Sequence, residues 1–380
     1  MISGIRRKTI RLSFIWVSVT LIVLAWPVSE RLRSISFKGV EGLTETPSNK
    51  SQAPDRGWGK IPGGPGTSCS TGGPYFFFVR PGDPQRLLIH FQGGGACWNG
   101  VNCDTRQRPT FDPSVDDNDQ PKQAGIFDVA NPQNPFKDFT MVFVSYCTGD
   151  AHLGNRVVTY STQATDSRPT STFQIHHEGY PNAMAALRWS FANLPSPKTI
   201  FVSGESAGAI ASPFFAVLVA AHYSRSKVAQ LGDSAGGYRT PAVTKLLEGW
   251  GASETIRNVT PYRKQEGAIN FETLYTAAAR DLPSVRFSQF NTIEDSTQCL
   301  FLRLVGVENA SLERLLEQNY ADIHEASPDF RAFTAPGKTH TILSRPEFYQ
   351  LEVSGVRFRD WVTDLVMGRP VKNVKLTMDN

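Results

Sequence analysis

The stretch Thr199-Ile-Phe-Val-Ser-Gly204-Glu205-Ser206-Ala207-Gly208-Ala-Ile-Ala constrains this 380-residue chain more than any other. An apolar strand runs into Gly-x-Ser-x-Gly and then into small residues that suit a helix. A strand-to-helix turn this tight has room only for glycine at Gly204 and Gly208. It would expose Ser206 at the C-terminal end of a sheet and at a helix N-terminus. The Ala207 N–H would then point to where an oxyanion forms. A structural glycine turn is the bland alternative, because the five-residue pattern is common by chance. The strand before it and the helix after it favour a nucleophile.

A serine of this kind needs a second oxyanion donor from an earlier loop. Leu87-Leu-Ile-His-Phe-Gln-Gly93-Gly94-Gly95-Ala-Cys97-Trp98 is a strand that ends in three glycines well upstream. Without a Cβ, backbone N–H groups at such a loop can approach a developing negative charge. A phosphate-cradling loop is the rival, but no Lys-Ser/Thr follows, as a Walker-type loop requires.

In a strand–nucleophile–helix fold the triad runs Ser, acid, His along the chain. Only His222, His324 and His340 follow Ser206. His222 lies in the helix after the nucleophile, several turns away, and cannot fold back. His324 ends an amphipathic, charge-rich helix and reads as a solvated residue. His340, in Ala335-Pro-Gly-Lys-Thr-His340-Thr-Ile, sits in a loop of turn formers beside an apolar run, where a general base is well placed. For the acid, the strand from Val285 breaks into a polar turn at Glu294-Asp295. Asp295 is favoured, with Glu294 beside it and Asp233, at the end of another strand, as the competitor. His176-His177-Glu178 invites a metal reading, but adjacent side chains point apart, so no metal site is assigned.

From Tyr75 onward the chain alternates short β-rich runs (75–79, 87–91, 141–146, 199–203, 285–290) with helical segments (181–193, 207–222, 268–280, 312–324, 358–367). That alternation predicts an α/β fold with a mostly parallel central sheet and helices on both faces. Residues 104–138 are polar and proline-rich, and read as a long excursion at one rim. With hydrophobic residues at 40% and charged residues at 19%, the chain can bury a sizeable core.

The net charge of +4 is misleading until it is located. Arg6, Arg7, Lys8, Arg11, Arg31, Arg33 and Lys38 stand against Glu30 alone in residues 1–40, so the remaining body is slightly acidic. A body of that sign has no general pull on phosphate backbones, which argues against nucleic acid as a partner. The basic cluster precedes the apolar run from Leu12 to Ala25, the order of a signal peptide or a signal anchor. The expected layout is a leader or anchor over 1–28, with residues 8–28 as a possible membrane tether, a linker over 29–64, and one catalytic domain over 65–380. The body is therefore expected outside the cytoplasm. Five cysteines suit that compartment. Cys69, Cys97, Cys103 and Cys147 allow three pairings, among which sequence alone does not choose. The six-residue separation of Cys97 and Cys103 suits a small loop, which would leave Cys69 with Cys147. Cys299 stands apart with no assigned role.

Taken together, Cys69-Ser-Thr-Gly-Gly-Pro-Tyr, Phe91-Gln-Gly-Gly-Gly-Ala-Cys97-Trp, Asn102-Cys103-Asp, Val144-Ser-Tyr-Cys147-Thr-Gly-Asp150, Gly204-Glu-Ser-Ala-Gly208, Asp233-Ser-Ala-Gly236, Asp295-Ser and His340 resemble the pectin acetylesterase and Notum family of carboxylesterases. The matching stretches span residues ~65 to 365. The resemblance implies a modified α/β-hydrolase fold and a serine esterase that removes short acyl groups, acetyl first, from an acylated polysaccharide. It implies Ser206 as nucleophile, Asp295 as acid and His340 as base, with Gly94, Gly95 and Ala207 as oxyanion donors and no cofactor. The pairings Cys97–Cys103 and Cys69–Cys147 agree with the family's pattern. Gly95 and Ala96 stand where the animal enzymes have aromatic residues lining an acyl pocket, a departure that argues for a short acyl group. The alternatives are a lipase-like deacylase acting on lipidated protein or lipid, and an envelope polymer-binding protein that has lost its chemistry.

Overall fold

A computed structural model describes residues 57–164 and 170–376. The expected leader or anchor, and the tether at 8–28, lie outside the described residues. Among those described, no helix is long and apolar enough to cross a membrane.

The core element is a nine-stranded mixed sheet. Its strands are β1 (Gly59–Pro62), β2 (Phe76–Arg80), β3 (Asp83–Phe91), β4 (Phe139–Val144), β7 (Thr199–Glu205), β8 (Lys227–Asp233), β9 (Val285–Arg286), β10 (Ser288–Thr292) and β11 (Arg331–Ala335). The spatial order is β1-β2-β4-β3-β7-β8-β10-β11, with the short β9 paired to β8. β1 and β2 run antiparallel at one edge; from β4 to β11 all pairs are parallel. This is the mostly parallel α/β arrangement the alternation predicts, and it is consistent with the modified α/β-hydrolase fold the resemblance implies. β1 corrects one boundary: residues 59–62, expected in the linker, form an edge strand along β2.

The central strands are covered on both faces, and most of them are apolar; β10 (Ser-Gln-Phe-Asn-Thr) is buried but polar. All six residues of β4, Phe-Thr-Met-Val-Phe-Val, are buried. The core is rich in stacked rings, with Phe91 on Phe215 (centroids 4.7 Å apart) and Phe136 on Phe201 (5.1 Å).

The helices are α1 (Gly179–Asn193), α2 (Ala207–His222), α3 (Ala242–Gly249), α4 (Ala252–Arg257), α5 (Thr260–Arg263), α6 (Phe271–Asp281), α7 (Ser296–Leu304), α8 (Leu312–Ala326) and α9 (Phe358–Met367). α2 packs along β3, β7 and β8, and α9 along β7 and β8. α2 tolerates Pro213 in its interior because the Ala209 carbonyl, left without its i+4 donor, accepts from Ser212 Oγ at 3.1 Å.

Two small sheets stand apart: the hairpin β5 (Arg156–Thr162) with β6 (Ser171–His177), and β12 (Glu352–Val353) with β13 (Val356–Arg357). The excursion over 104–138 contains only two 3₁₀ turns, Asp117–Asp119 and Gly125–Phe127. It returns to touch the loop after β11, where the Ile126 N–H donates to the Leu343 carbonyl at 2.8 Å. Two disulfides staple the first half: Cys69–Cys147, across 78 residues, and Cys97–Cys103, across six.

Candidate active site

β7 delivers its last residues into the turn that carries Ser206. Ser206 has φ 53° and ψ −117°, a strained conformation for a residue with a Cβ. The surrounding packing holds it there. A Cβ on Gly204 would lie 2.2 Å from the Gly208 carbonyl oxygen, and one on Gly208 would lie 2.0 Å from the Phe91 carbonyl oxygen. Both positions therefore exclude every residue but glycine. The Ser206 N–H donates to the Asp233 carbonyl at the end of β8, at 2.8 Å, and Ala207 opens α2.

β3 ends beside this turn in Gly93-Gly94-Gly95. Gly94 (φ 153°) and Gly95 (φ 82°) adopt backbone that side chains disfavour. A Cβ on Gly95 would meet the Thr110 carbonyl oxygen at 1.9 Å, and one on Gly94 the Tyr146 ring at 2.8 Å. Tyr146 holds this loop in place. Its hydroxyl donates to the Gly95 carbonyl at 3.0 Å and accepts from the Ala151 N–H at 2.7 Å. The backbone of Tyr146 is fixed in turn by the Gln92 amide oxygen at 2.9 Å.

His340 follows β11, and Asp295 sits between β10 and α7. The imidazole Nδ1 is 2.7 Å from Asp295 Oδ2. Asp295 is fully buried, and its carboxylate also accepts from the Thr297 and Gln298 N–H groups and from the Gln298 side-chain amide. The acid thus caps α7 while it holds the imidazole. His340 Nε2 is buried and has no hydrogen-bond partner. This leaves the second ring nitrogen available for a proton.

Asp233, the competing acid, is spent elsewhere. Its Oδ2 accepts from the Ile342 N–H at 2.7 Å and the Leu343 N–H at 2.8 Å, and Ser234 Oγ donates to its Oδ1. Ser234 Oγ accepts from the Thr341 N–H at 3.0 Å. Asp233 is therefore the bracket that fastens the His340 loop and, through its carbonyl, the Ser206 turn to the same strand end. Glu294 is exposed.

The other histidines lie elsewhere. His222 stacks on Phe191 with ring centroids 3.9 Å apart, and His324 is exposed in the last turn of α8. His177 is buried between the Thr148 carbonyl and the Tyr160 hydroxyl, whereas His176 faces Glu178 at 3.6 Å, so the adjacent pair shares no ligand geometry. His177 does lie near Cys97 and Cys103, the one grouping of potential metal ligands among the described residues. Those sulfurs are joined to each other, which removes the thiolates a metal would need.

Next to Ser206 lies a partly open cavity with about 490 Å3 of space between atoms, open solvent included. Gly95, Ser206 and Ala207 line it, and Trp98, Trp250, Phe271, Phe301 and Leu246 are among the apolar side chains of its wall. Trp250 Nε1 donates to the Cys97 carbonyl at 2.8 Å, which ties this wall to the small disulfide loop.

The family described as Pectinacetylesterase matches residues 63–276, more than half of the chain. This chain belongs to the pectinacetylesterase family. The matched region holds the serine turn, the triple-glycine loop and all four disulfide cysteines, and ends before Asp295 and His340. The chain is also similar to a palmitoleoyl-protein carboxylesterase NOTUM of Schmidtea mediterranea, 26% identical over 104 residues. That match covers 26% of this pectinacetylesterase-family chain and 20% of the relative, so the chain spans about a fifth of that relative's length.

Sequence reasoning missed Tyr146, the bracketing role of Asp233 and most of the cavity wall. Tyr146 carried a usable signal, since it lies in Val144-Ser-Tyr-Cys147-Thr-Gly-Asp150 directly after a strand. The wall carried none, because it is gathered from the disulfide loop, α3, α6 and α7.

Proposed function

We propose that this protein is a serine carboxylesterase that hydrolyses acyl esters through a covalent acyl-Ser206 intermediate. The observation that carries this reading is the Ser206 turn, which lines an apolar cavity with Gly95 and Ala207 and is fastened through Asp233 to the loop that carries the Asp295-bonded His340. His340 Nε2 takes the Ser206 proton as Oγ attacks the ester carbonyl, and returns it to the departing alkoxide. A water, deprotonated by the same nitrogen, then releases the acid and restores Ser206. Asp295 fixes the imidazole tautomer and stabilises its cation. The N–H groups of Gly94, Gly95 and Ala207 receive the oxyanion, each such donor typically worth ~3 kcal/mol in the transition state. These steps call on no metal or organic cofactor and no nucleic acid.

For the substrate, the family supports an acetylated polysaccharide. The cavity supports a second reading, an acyl chain longer than acetyl, because Trp98, Leu246, Trp250, Phe271, Phe301 and Val305 make its wall aromatic and aliphatic. The two disulfides support action in an oxidising, extracytoplasmic compartment.

The test is hydrolysis of p-nitrophenyl esters from acetate to palmitate by the full chain produced in an oxidising compartment. Ser206→Ala is run alongside and is expected to lose on the order of 10⁴-fold or more in rate while unfolding at an unchanged temperature. Retained turnover in that variant overturns the assignment. A rate maximum at acetate selects the acetylated polysaccharide, and a maximum at longer chains selects the lipid-type acyl group. No hydrolysis of any ester by the folded protein selects a polymer-binding protein.

A further inference from the structure

Between Gly204 and Ser206 the chain places a carboxylic acid, Glu205, for which the esterase mechanism has no use. Its surroundings are all parts of the candidate site. The side chain lies against the glycine loop, with its Cγ 3.3 Å from where a Cβ on Gly93 would stand. Its Oε2 accepts from Ser344 Oγ at 2.6 Å, four residues beyond His340. In the β7–β8 register Glu205 stands directly opposite Asp233, so the two carboxyls share a face of the sheet. They are solvated very differently. Asp233 has two backbone N–H groups and a hydroxyl, and Glu205 has the Ser344 hydroxyl. The charged or titratable groups that act on Glu205 are Asp233 on β8, and His340 and Arg345 on the loop after β11.

We propose that Glu205 is a second, positioning carboxylate for the His340 imidazolium, acting beside Asp295 and switched on by its own ionisation. The inference rests on the reading of Ser206, His340 and Asp295 as an acyl-transfer triad. An anion at Glu205 favours the cation that His340 becomes when it takes the Ser206 proton, and so lowers the barrier to acylation. Burial pushes the Glu205 carboxyl up to about 7, with the Ser344 hydrogen bond and the His340 and Arg345 charges pulling it down and Asp233 pushing it further up. The switch therefore operates around neutral pH rather than in the ordinary carboxylate range. Below that point Glu205 is neutral and Asp295 acts alone; above it both carboxylates support the imidazolium.

The pH dependence of kcat and KM for p-nitrophenyl acetate between pH 5 and 9 tests this, with Glu205→Gln, Ser344→Ala and Ser206→Ala as variants. Glutamine keeps an acceptor for Ser344 but has no charge. Glu205→Gln is expected to leave KM unchanged, to leave the unfolding temperature unchanged at pH 6, where Glu205 is already mostly neutral, and to lose about three- to tenfold in kcat at pH 8.5 and little at pH 6. Ser344→Ala removes the hydroxyl that holds the anion, so it moves the limb governed by Glu205 to higher pH. That variant keeps the test open should Glu205→Gln fail to fold. Profiles of both variants that superpose on the parent overturn the proposal. So does a drop in kcat that is equal at every pH, because that is the mark of a purely structural role. Turnover surviving in Ser206→Ala instead removes the triad reading itself, which separates the two failures.

Discussion

At the level of single residues, the candidate site is built from positions that each do two jobs. Asp295 bonds His340 and also caps α7 through its contacts to the Thr297 and Gln298 N–H groups. Asparagine is as good a helix cap as aspartate but carries no charge. Asp295→Asn is therefore expected to keep the unfolding temperature within a few degrees and to lower kcat on the order of 10⁴-fold, whereas Asp295→Ala loses both. Kinetics and thermal unfolding of the two variants check this, and an asparagine variant with near-parental kcat contradicts the role. Turn formers and chain order mark the candidates Ser206, His340 and Asp295 in the sequence, and the structure brings Asp295 and His340 into hydrogen-bond contact. Asp233 was legible only as a rival acid. Its real work is to accept backbone N–H bonds from Ile342 and Leu343, and such a bond to a segment more than 100 residues away leaves no pattern in sequence.

At the level of elements, the reactive ends of β3, β7, β8 and β10 gather on one side of the sheet, and short loops carry the reacting groups there. The triple-glycine loop is the one with least intrinsic stiffness, and Tyr146 supplies what glycine lacks. Its ring covers Gly94, and its hydroxyl joins the Gly95 carbonyl to the Ala151 N–H. Tyr146→Phe keeps the ring and removes the hydroxyl. The expected result is about a tenfold fall in kcat with KM unchanged, less than the cost of deleting an oxyanion donor outright, because the N–H groups remain but wander. Unchanged kcat shows that the loop holds itself. The helices Ala207–His222 and Phe358–Met367 have the bounds expected from the sequence; the first is apolar and buried on nearly every side, and the second buries one face through Phe358, Trp361, Val362 and Leu365. The hairpin of β5 and β6 escaped notice although its burial alternates, since its inward positions are mixed with Thr, Ser and His and most of them are only half-buried. The polar turn expected after β10 is the first turn of α7, whose start is set by the Asp295 cap rather than by hydrophobic spacing.

At the level of the whole molecule, three imidazoles are locked away from water. Burial pushes His90 down to about 3, and His152 and His177 down to about 4. In the unfolded chain each titrates near the ordinary 6.5, so the stability they contribute is present above that pH and is lost as pH falls towards about 4. Five carboxyls act in the opposite sense. Asp150, raised to about 6 by burial, and Glu205, raised to about 7, favour the folded state at low pH and lose that contribution as pH rises through those values, and burial pushes Asp119, Asp233 and Glu272 up as well. The division of labour across the molecule reaches further than stability. The candidate catalytic groups sit at strand ends, two of whose glycines, Gly204 and Gly208, admit no substitution, while most of the cavity wall comes from α3, α6, α7 and the small disulfide loop. Trp98, Leu246, Phe301 and Val305 can thus drift in lineages that keep the same bond-breaking apparatus. Descendants of one ancestor could then part company over the length of the acyl group they accept long before any of them changed how the ester is cleaved.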